Sequence, residues 1–287
     1  MISMNHKFPA KIFIDGGVPE ETNQAKKLLG FLDGQTTNPS LIAKNLKSRL
    51  GNGQPVLLTE SMALEEYKRI VTEMNLIIPQ GSISIQVFVD QETKAEEMLE
   101  QARERNKWIP NASIKFPCIS EGLKAAEIAC REMPINITLV FSQSQAAAVY
   151  ESTKNAKFPV FISPFVGRLD DKGENGMQVI ENILRMYKEG NRHIEVLTAS
   201  VRNIDHILYA LHLRSNIITI PLKVFSSWAD LGFKMPEENY TYPVGALKAI
   251  HYNQDIVLGK NWQEYDLQHE LTDKGVSSFW SDWMGLF

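Results

Sequence analysis

The chain is 287 residues long, enough for one large domain or two smaller ones with a full core. Its composition, 44% hydrophobic and 22% charged with a net charge of −4, gives no electrostatic case for nucleic acid or for an anionic membrane. No apolar run approaches a membrane span, no basic-then-apolar leader opens the chain, and two cysteines, Cys118 and Cys130, make neither a disulfide framework nor a metal knuckle; a reducing compartment such as the cytoplasm is expected.

Short β-rich runs recur along the chain at Lys11–Asp15, Phe31–Thr37, Ile83–Val89, Ser113–Pro117, Asn136–Phe141, Val160–Val166, Ile194–Val201 and Ile217–Leu222. Amphipathic stretches lie between them, at Glu20–Leu29, Glu92–Arg105, Glu121–Glu132, Ser144–Asn155, Gly176–Lys188 and Asn203–Leu213. Pro19 followed by Glu20 and Glu21 opens a helix, and Gly30 stops it. Such β-α alternation predicts the α/β class: a single closed (β/α)8 TIM barrel over about residues 11–222. The first strand runs into Asp15-Gly16-Gly17-Val18, without the glycine-rich dinucleotide fingerprint, which counts against an open doubly wound sheet. Gln54–Gln80 reads as one longer helical insertion. Residues 223–287 read as a C-terminal helical and loop extension, with residues 1–287 forming one domain.

Lys115 stands out. It sits between Ile114 and Phe116 in a strand closed by Pro117, and lysine is seldom fully buried because its charge is costly to desolvate. A lone strand lysine often snorkels to water. Alternate strand residues face opposite sides, however, and the polar ones share a parity in several strands. Ser84 and Gln86 oppose Ile85, Val87 and Val89; Ser113 and Lys115 oppose Ile114 and Phe116; Asn136 and Thr138 oppose Ile137, Leu139 and Phe141. Thr198, Ser200 and Arg202 oppose Leu197, Ala199 and Val201, and Asp15 stands apart from Ile12 and Ile14. Barrel lumens are ordinarily filled with branched apolar side chains. A polar lumen is either a self-satisfying network or a reactive pocket, and the pocket also accounts for the lysine and Asp15. The expected site is at the C-terminal ends of the strands.

Six histidines, His6, His193, His206, His212, His251 and His269, are scattered without metal-ligand pairing and read as surface or packing residues. No Gly-x-Ser-x-Gly elbow is present. A lysine among carboxylate, amide and hydroxyl groups suits imine chemistry on a carbonyl substrate, with no metal or cofactor. Arg168, Ser200 and Arg202 fall together at the barrel mouth, where barrels often hold phosphate; each arginine judged alone could equally make a surface ion pair.

The chain resembles the transaldolase family through six motifs in order. They are Phe13-Ile-Asp15, Thr36-Thr-Asn-Pro-Ser-Leu-Ile42, Ile114-Lys-Phe-Pro117 with Glu121-Gly-Leu123, Asn136-Ile-Thr-Leu-Val-Phe-Ser142, Ile162-Ser-Pro-Phe-Val-Gly-Arg-Leu-Asp170 and Ala199-Ser-Val-Arg202. The ending Glu270-Leu-Thr-Asp-Lys-Gly275, with Phe279 and Trp283, resembles the tails of shorter bacterial members. The resemblance implies a Schiff base at Lys115 with a ketose phosphate such as sedoheptulose 7-phosphate or fructose 6-phosphate, as in the pentose phosphate pathway. It implies that Asp15 takes the C4 hydroxyl proton and that Thr138 positions the water lost. It implies that Asn38 and Asn136 hold the dihydroxyacetone unit, that Ser163 and Phe165 line its pocket, and that Arg168, Ser200 and Arg202 bind phosphate.

Gln86 departs from the pattern: typical transaldolases carry glutamate there, whereas glutamine resembles the related fructose-6-phosphate aldolases. Phe165 resembles the transaldolase choice. Phe116 and Cys118 differ from the smaller residues common around the lysine, and Cys118 is expected to be inert. Three functions are therefore carried: dihydroxyacetone transfer, an aldolase releasing dihydroxyacetone, and a non-catalytic sugar-phosphate-binding barrel. Small sugar phosphates are the expected partners, and a homo-oligomer is expected. The tail aromatics Trp262, Trp280, Trp283 and Phe287 suggest either barrel capping or subunit contact.

Overall fold

A computed structural model of the chain describes residues 8–50 and 58–287. Strand β1 (Lys11–Asp15) leads into α1 (Pro19–Leu29), which has Pro19 at its first turn and ends at Gly30 in the left-handed conformation, φ 91°. There follow β2 (Gly34–Thr36), α2 (Pro39–Leu50), α3 (Glu60–Ile77), β3 (Ser82–Gln86), α4 (Ala95–Arg105), β4 (Ala112–Pro117) and α5 (Ser120–Ala129). The remaining barrel elements are β5 (Ile135–Val140), α6 (Gln143–Ser152), β6 (Val160–Pro164), α7 (Val166–Asp170), α8 (Gly176–Tyr187), β7 (Ile194–Thr198), α9 (Ile204–His212) and β8 (Ile217–Pro221). The expected insertion is α3; its first residues, 54–57, lie outside the described residues. Among the described residues, no helix is long and apolar enough to cross a membrane.

The eight strands are parallel and close in sequence order, β8 returning to β1 with Phe13 beside Thr219 and Asp15 beside Pro221. This is the (β/α)8 barrel that the alternation predicts. Helix-facing residues Ile12, Ile14, Ile83, Ile85, Ile114, Phe116, Ile137 and Ile162 are all buried, as strand parity requires. Inside, Phe13 and Phe161 meet edge to face at 6.3 Å and fill the lumen below the polar residues. Gly34 makes room for them, since a Cβ there would lie 2.5 Å from the Phe13 ring and 2.4 Å from the Ser82 carbonyl oxygen.

The seventh strand corrects the parity expectation. Thr198 pairs in register with Ile218, and its hydroxyl bonds the Ser215 hydroxyl at 2.9 Å on the helix side. Leu197, in register with Ile217, takes the lumen side instead. Ser200 nevertheless reaches the barrel mouth because its φ of 60° breaks the alternation after the strand ends. Leu139, also at φ 60°, accompanies a register shift between β5 and β6.

Beyond the barrel come α10 (Leu222–Asp230), a long irregular segment, a 3-10 turn at Trp262–Glu264, and α11 (Glu270–Met284). Helix α11 lies against α2 and over the barrel mouth. Thr272 donates to the Leu139 carbonyl at 2.9 Å, Gln145 donates to Thr272 at 2.8 Å, and Ser40 bonds Asp282. Trp283 stacks on Phe88 beyond the end of β3 with centroids 3.9 Å apart, whereas Trp262 is buried outside the barrel, donating to Glu127 of α5 at 3.1 Å. Gly34→Ala should destabilise the fold by about 1–3 kcal/mol through overpacking. A lowered urea midpoint checks this; an unchanged midpoint contradicts the close approach of Phe13.

Candidate active site

Lys115 projects from the middle of β4 between Gln86 on β3 and Asn136 on β5, its two register neighbours. Its side chain is 3% exposed, and the Nζ donates to the Thr37 carbonyl oxygen at 3.1 Å. Burial lowers its pKa to about 8; the charge of Asp15 opposes the shift, and Arg168 adds to it. At pH 7 roughly a tenth of the amine is then neutral, against a negligible fraction for an ordinary lysine.

Asp15 closes β1 and accepts a hydrogen bond from the Thr36 hydroxyl at 2.6 Å, Thr36 in turn bonding Thr219 at 2.7 Å. Burial pushes its carboxyl above the usual carboxylate range, while Lys115, the Thr36 hydroxyl, Arg202 and Arg168 pull it back. An amine pushed down and a carboxyl pushed up in one pocket bring the two groups' proton affinities closer together, the pattern of an acid/base site.

A cavity of about 170 Å3 opens over these two groups. Its walls include Asp15, Asn38, Lys115, Ser163, Phe165, Arg168, Ser200 and Arg202, all expected from the sequence. Asn38 caps α2, its Oδ1 accepting from Leu41 N at 3.0 Å, so its amide NH2 is what it can offer the cavity. Asn136 lies in the barrel wall beside Lys115, donating to Ser84 Oγ at 3.1 Å and accepting from Ser163 Oγ at 2.7 Å.

Gln86 and Thr138 are fully enclosed on the lumen parity. Gln86 Oε1, Thr138 Oγ1 and Ser113 Oγ are buried without a hydrogen-bond partner among the described residues. Orphaned polar atoms of this kind, on three adjacent strands, suit a polar guest or bridging water. The backbone of Gln86 is clamped on both sides: its N–H donates to Tyr67 Oη at 3.1 Å, and its carbonyl accepts from Arg105 Nη1 at 2.9 Å. Tyr67 passes its own proton to Thr37 Oγ1 at 2.6 Å, and Thr37 donates to the Ser84 carbonyl at 2.7 Å. Burial lowers the Arg105 pKa to about 10, and its guanidinium lies 4.2 Å over the Phe88 ring.

At the opposite wall, Arg168 rides on α7 with its guanidinium between two rings, 5.2 Å from Phe165 and 5.3 Å from Phe279 of α11. Burial and the neighbouring Arg202 both lower its pKa. Arg202 reaches Asp171 at 3.1 Å. Two guanidiniums brought to one cavity wall repel each other, and a bound anion relieves that repulsion.

Several wall residues carry no role in the sequence reading: Thr36, Ser40, Leu41, Thr219 and Phe279. Thr219 has a legible signal, since it is the one polar residue of an otherwise apolar strand. Phe279 has none, because only the path of α11 brings it to Arg168. His206, read as a surface or packing residue, is fully buried and accepts a hydrogen bond from Arg202 N at 3.1 Å. A wider cleft of about 590 Å3 lies outside the barrel and is rimmed by carboxylates such as Glu60, Glu97, Glu100 and Glu104, away from the lysine.

Fold and cavity together define a (β/α)8 barrel with a lysine-centred polar pocket at the C-terminal ends of its strands. The chain belongs to the transaldolase/fructose-6-phosphate aldolase family, whose model matches residues 12–287. A probable transaldolase of Dehalococcoides mccartyi is 31% identical over 274 residues, covering 95% of this chain and 97% of the relative. One from Herpetosiphon aurantiacus is 32% identical over 274 residues, covering 95% and 94%. One from Clostridium botulinum is 36% identical over 244 residues, covering 83% of this chain and all of its own.

Lys115 should label with an amine-reactive reagent along a curve with its midpoint at about 8. Because the negative charge of Asp15 holds that midpoint up, Asp15→Asn should move it lower. Peptide mass spectrometry of labelling against pH measures both, and a midpoint in the ordinary lysine range contradicts the burial argument.

Proposed function

We propose that this protein transfers a dihydroxyacetone unit from a ketose phosphate to an aldose phosphate through an iminium at Lys115. The observation that carries the reading is the buried amine with its pKa lowered to about 8, beside a carboxyl whose pKa is raised. In this reading the neutral Nζ attacks the donor's C2 carbonyl, a carbinolamine forms, and water leaves to give the iminium. Asp15 takes the proton of the C4 hydroxyl as the C3–C4 bond breaks. Its electrons pass to the iminium, giving an enamine, and an aldose phosphate departs. The enamine then adds to the aldehyde of the acceptor, Asp15 returns the proton, and water releases the new ketose. Fructose 6-phosphate and sedoheptulose 7-phosphate fit as donors.

Thr138 and Gln86 would orient the water lost and regained, a role consistent with their unpartnered oxygens. Asn38, Asn136 and Ser163 would hold the three-carbon hydroxyls, with Phe165 packed beside them. Arg168, Ser200 and Arg202 would take the phosphate. Burial pushes both thiols upward, Cys130 to about 11, which fits unreactive cysteines of a cytoplasmic enzyme.

A second reading has a specific observation behind it. Gln86 can orient a water but cannot carry its proton, and glutamine at this position resembles the fructose-6-phosphate aldolases, which release free dihydroxyacetone. Borohydride in the presence of fructose 6-phosphate should leave an adduct on Lys115 that Lys115→Met abolishes; no adduct on the wild type refutes both enzymatic readings. Free dihydroxyacetone formed without an acceptor aldehyde identifies the aldolase, whereas dependence on erythrose 4-phosphate identifies transfer. Gln86→Glu should raise the transfer rate, on the order of tenfold or more if a missing acid/base group limits it. Unchanged rates would refute that limitation.

A further inference from the structure

Two arginines share the proposed phosphate wall, yet they belong to different elements. Arg168 is on α7, and Arg202 is on the turn after β7. Their mutual repulsion favours spreading the two elements apart, so something beneath must hold them. Part of the answer is backbone: Val166 N donates to the Ala199 carbonyl and Gly167 N to the Ser200 carbonyl, each at 3.1 Å. Gly167 permits this contact, since a Cβ there would lie 2.1 Å from the Ser200 oxygen and 2.5 Å from Arg202 Cγ.

The rest is a polar cluster around the buried His206 that the proposed chemistry does not use. His206 Nδ1 accepts from Arg202 N at 3.1 Å, which fixes the remaining ring proton on Nε2 when the ring is neutral. That Nε2 lies 2.7 Å from Asp170 Oδ2 and 2.8 Å from Tyr242 Oη, and Tyr242 donates to the same Asp170 oxygen at 2.7 Å. Asp170 Oδ1 accepts from Gly176 N at 2.9 Å, anchoring the start of α8 as well. Asp170 is on α7, two residues from Arg168. The cluster therefore cross-links the two arginine-bearing elements.

Tyr242 comes from the irregular segment after α10, which has further attachments at the same place. Tyr240 donates to Asp205 at 2.7 Å, Lys248 N donates to the Gly173 carbonyl, and Asn175 N donates to the Lys248 carbonyl, the last two at 2.8 Å. This part of the extension straps α7, the turn into α8, and α9. We propose that His206, held by Asp170 and Tyr242, is a positioning residue that sets the spacing of Arg168 and Arg202 for a phosphate monoester. The strap outside the barrel thereby tunes affinity for phosphorylated substrates. This inference rests on reading the cavity as a sugar-phosphate site.

The test uses the full-length protein, with calorimetric binding of inorganic phosphate and borohydride trapping on Lys115 by fructose 6-phosphate or by unphosphorylated dihydroxyacetone. Tyr242→Phe should weaken phosphate binding and raise the half-saturating fructose 6-phosphate concentration by ~3- to 10-fold, because only part of the loss of one hydrogen bond to a charged group reaches the arginines. Half-saturation by dihydroxyacetone should stay as in the wild type. His206→Leu should show a larger loss, and His206→Asn a partial recovery, because its amide oxygen can accept from Arg202 N. Phosphate binding of Tyr242→Phe within twofold of wild type, or an equal loss for both trapping ligands, overturns the proposal. So does a wild type that binds no phosphate. If the wild type binds phosphate but neither ligand is trapped, the imine reading fails, and the phosphate series alone decides the positioning role.

Discussion

The site depends on one electrostatic circumstance: an ammonium group enclosed at the centre of a closed sheet, with a carboxyl as its nearest compensating charge. Removing Lys115 from water disfavours its charged form, and removing Asp15 from water disfavours its charged form too. Each stabilises the charge of the other, so neither shift runs to completion. The amine is easier to deprotonate than an ordinary lysine, and the carboxyl is harder to ionise than an ordinary aspartate. The closed barrel makes this possible because its strands supply polar neighbours at fixed register without admitting bulk water.

The surroundings hold that circumstance in place mostly through backbone. Lys115 is tied to the Thr37 carbonyl, and Thr37 is tied through Tyr67 to the peptide N–H of Gln86. Arg105 secures the carbonyl of the same residue. The position of Gln86 is thus determined by α3 and α4 rather than by its own side chain, whose oxygen has no hydrogen-bond partner among the described residues. A substitution at the Gln86 side chain can consequently leave the scaffold around it intact.

The second centre of charge, at Arg168 and Arg202, is stabilised differently. Arg168 is flanked by aromatic faces from the barrel and from α11, which offer it a favourable surface without occupying its donors. Arg202 is held by its main chain from His206 and by its side chain from Asp171. The C-terminal extension contributes to both, Phe279 from α11 and Tyr242 from the strap. A region that adds no strand to the barrel therefore both completes and braces the arginine-bearing wall of the cavity.

Local regularities were readable from the chain because they follow from period and parity. The β-α alternation, the Pro19 and Gly30 helix ends, the lumen side of Ser84, Gln86, Ser113, Lys115 and Asn136, and Asp15 at the end of β1 all follow from a repeat of two or of 3.6 residues. Parity fails at Thr198: it groups Thr198 with Ser200, which does reach the barrel mouth, but the φ of 60° at Ser200 breaks the alternation between them, and nothing in a serine marks that conformation in advance. Phe279, Tyr242 and His206 were invisible for another reason. Their partners are distant in the chain, and only the closing of the barrel and the return of the tail across its mouth bring them to the arginines. The lumen side of Lys115 is thus a property of its own strand. Its lowered pKa and the cavity above it exist only once eight strands have excluded water around it.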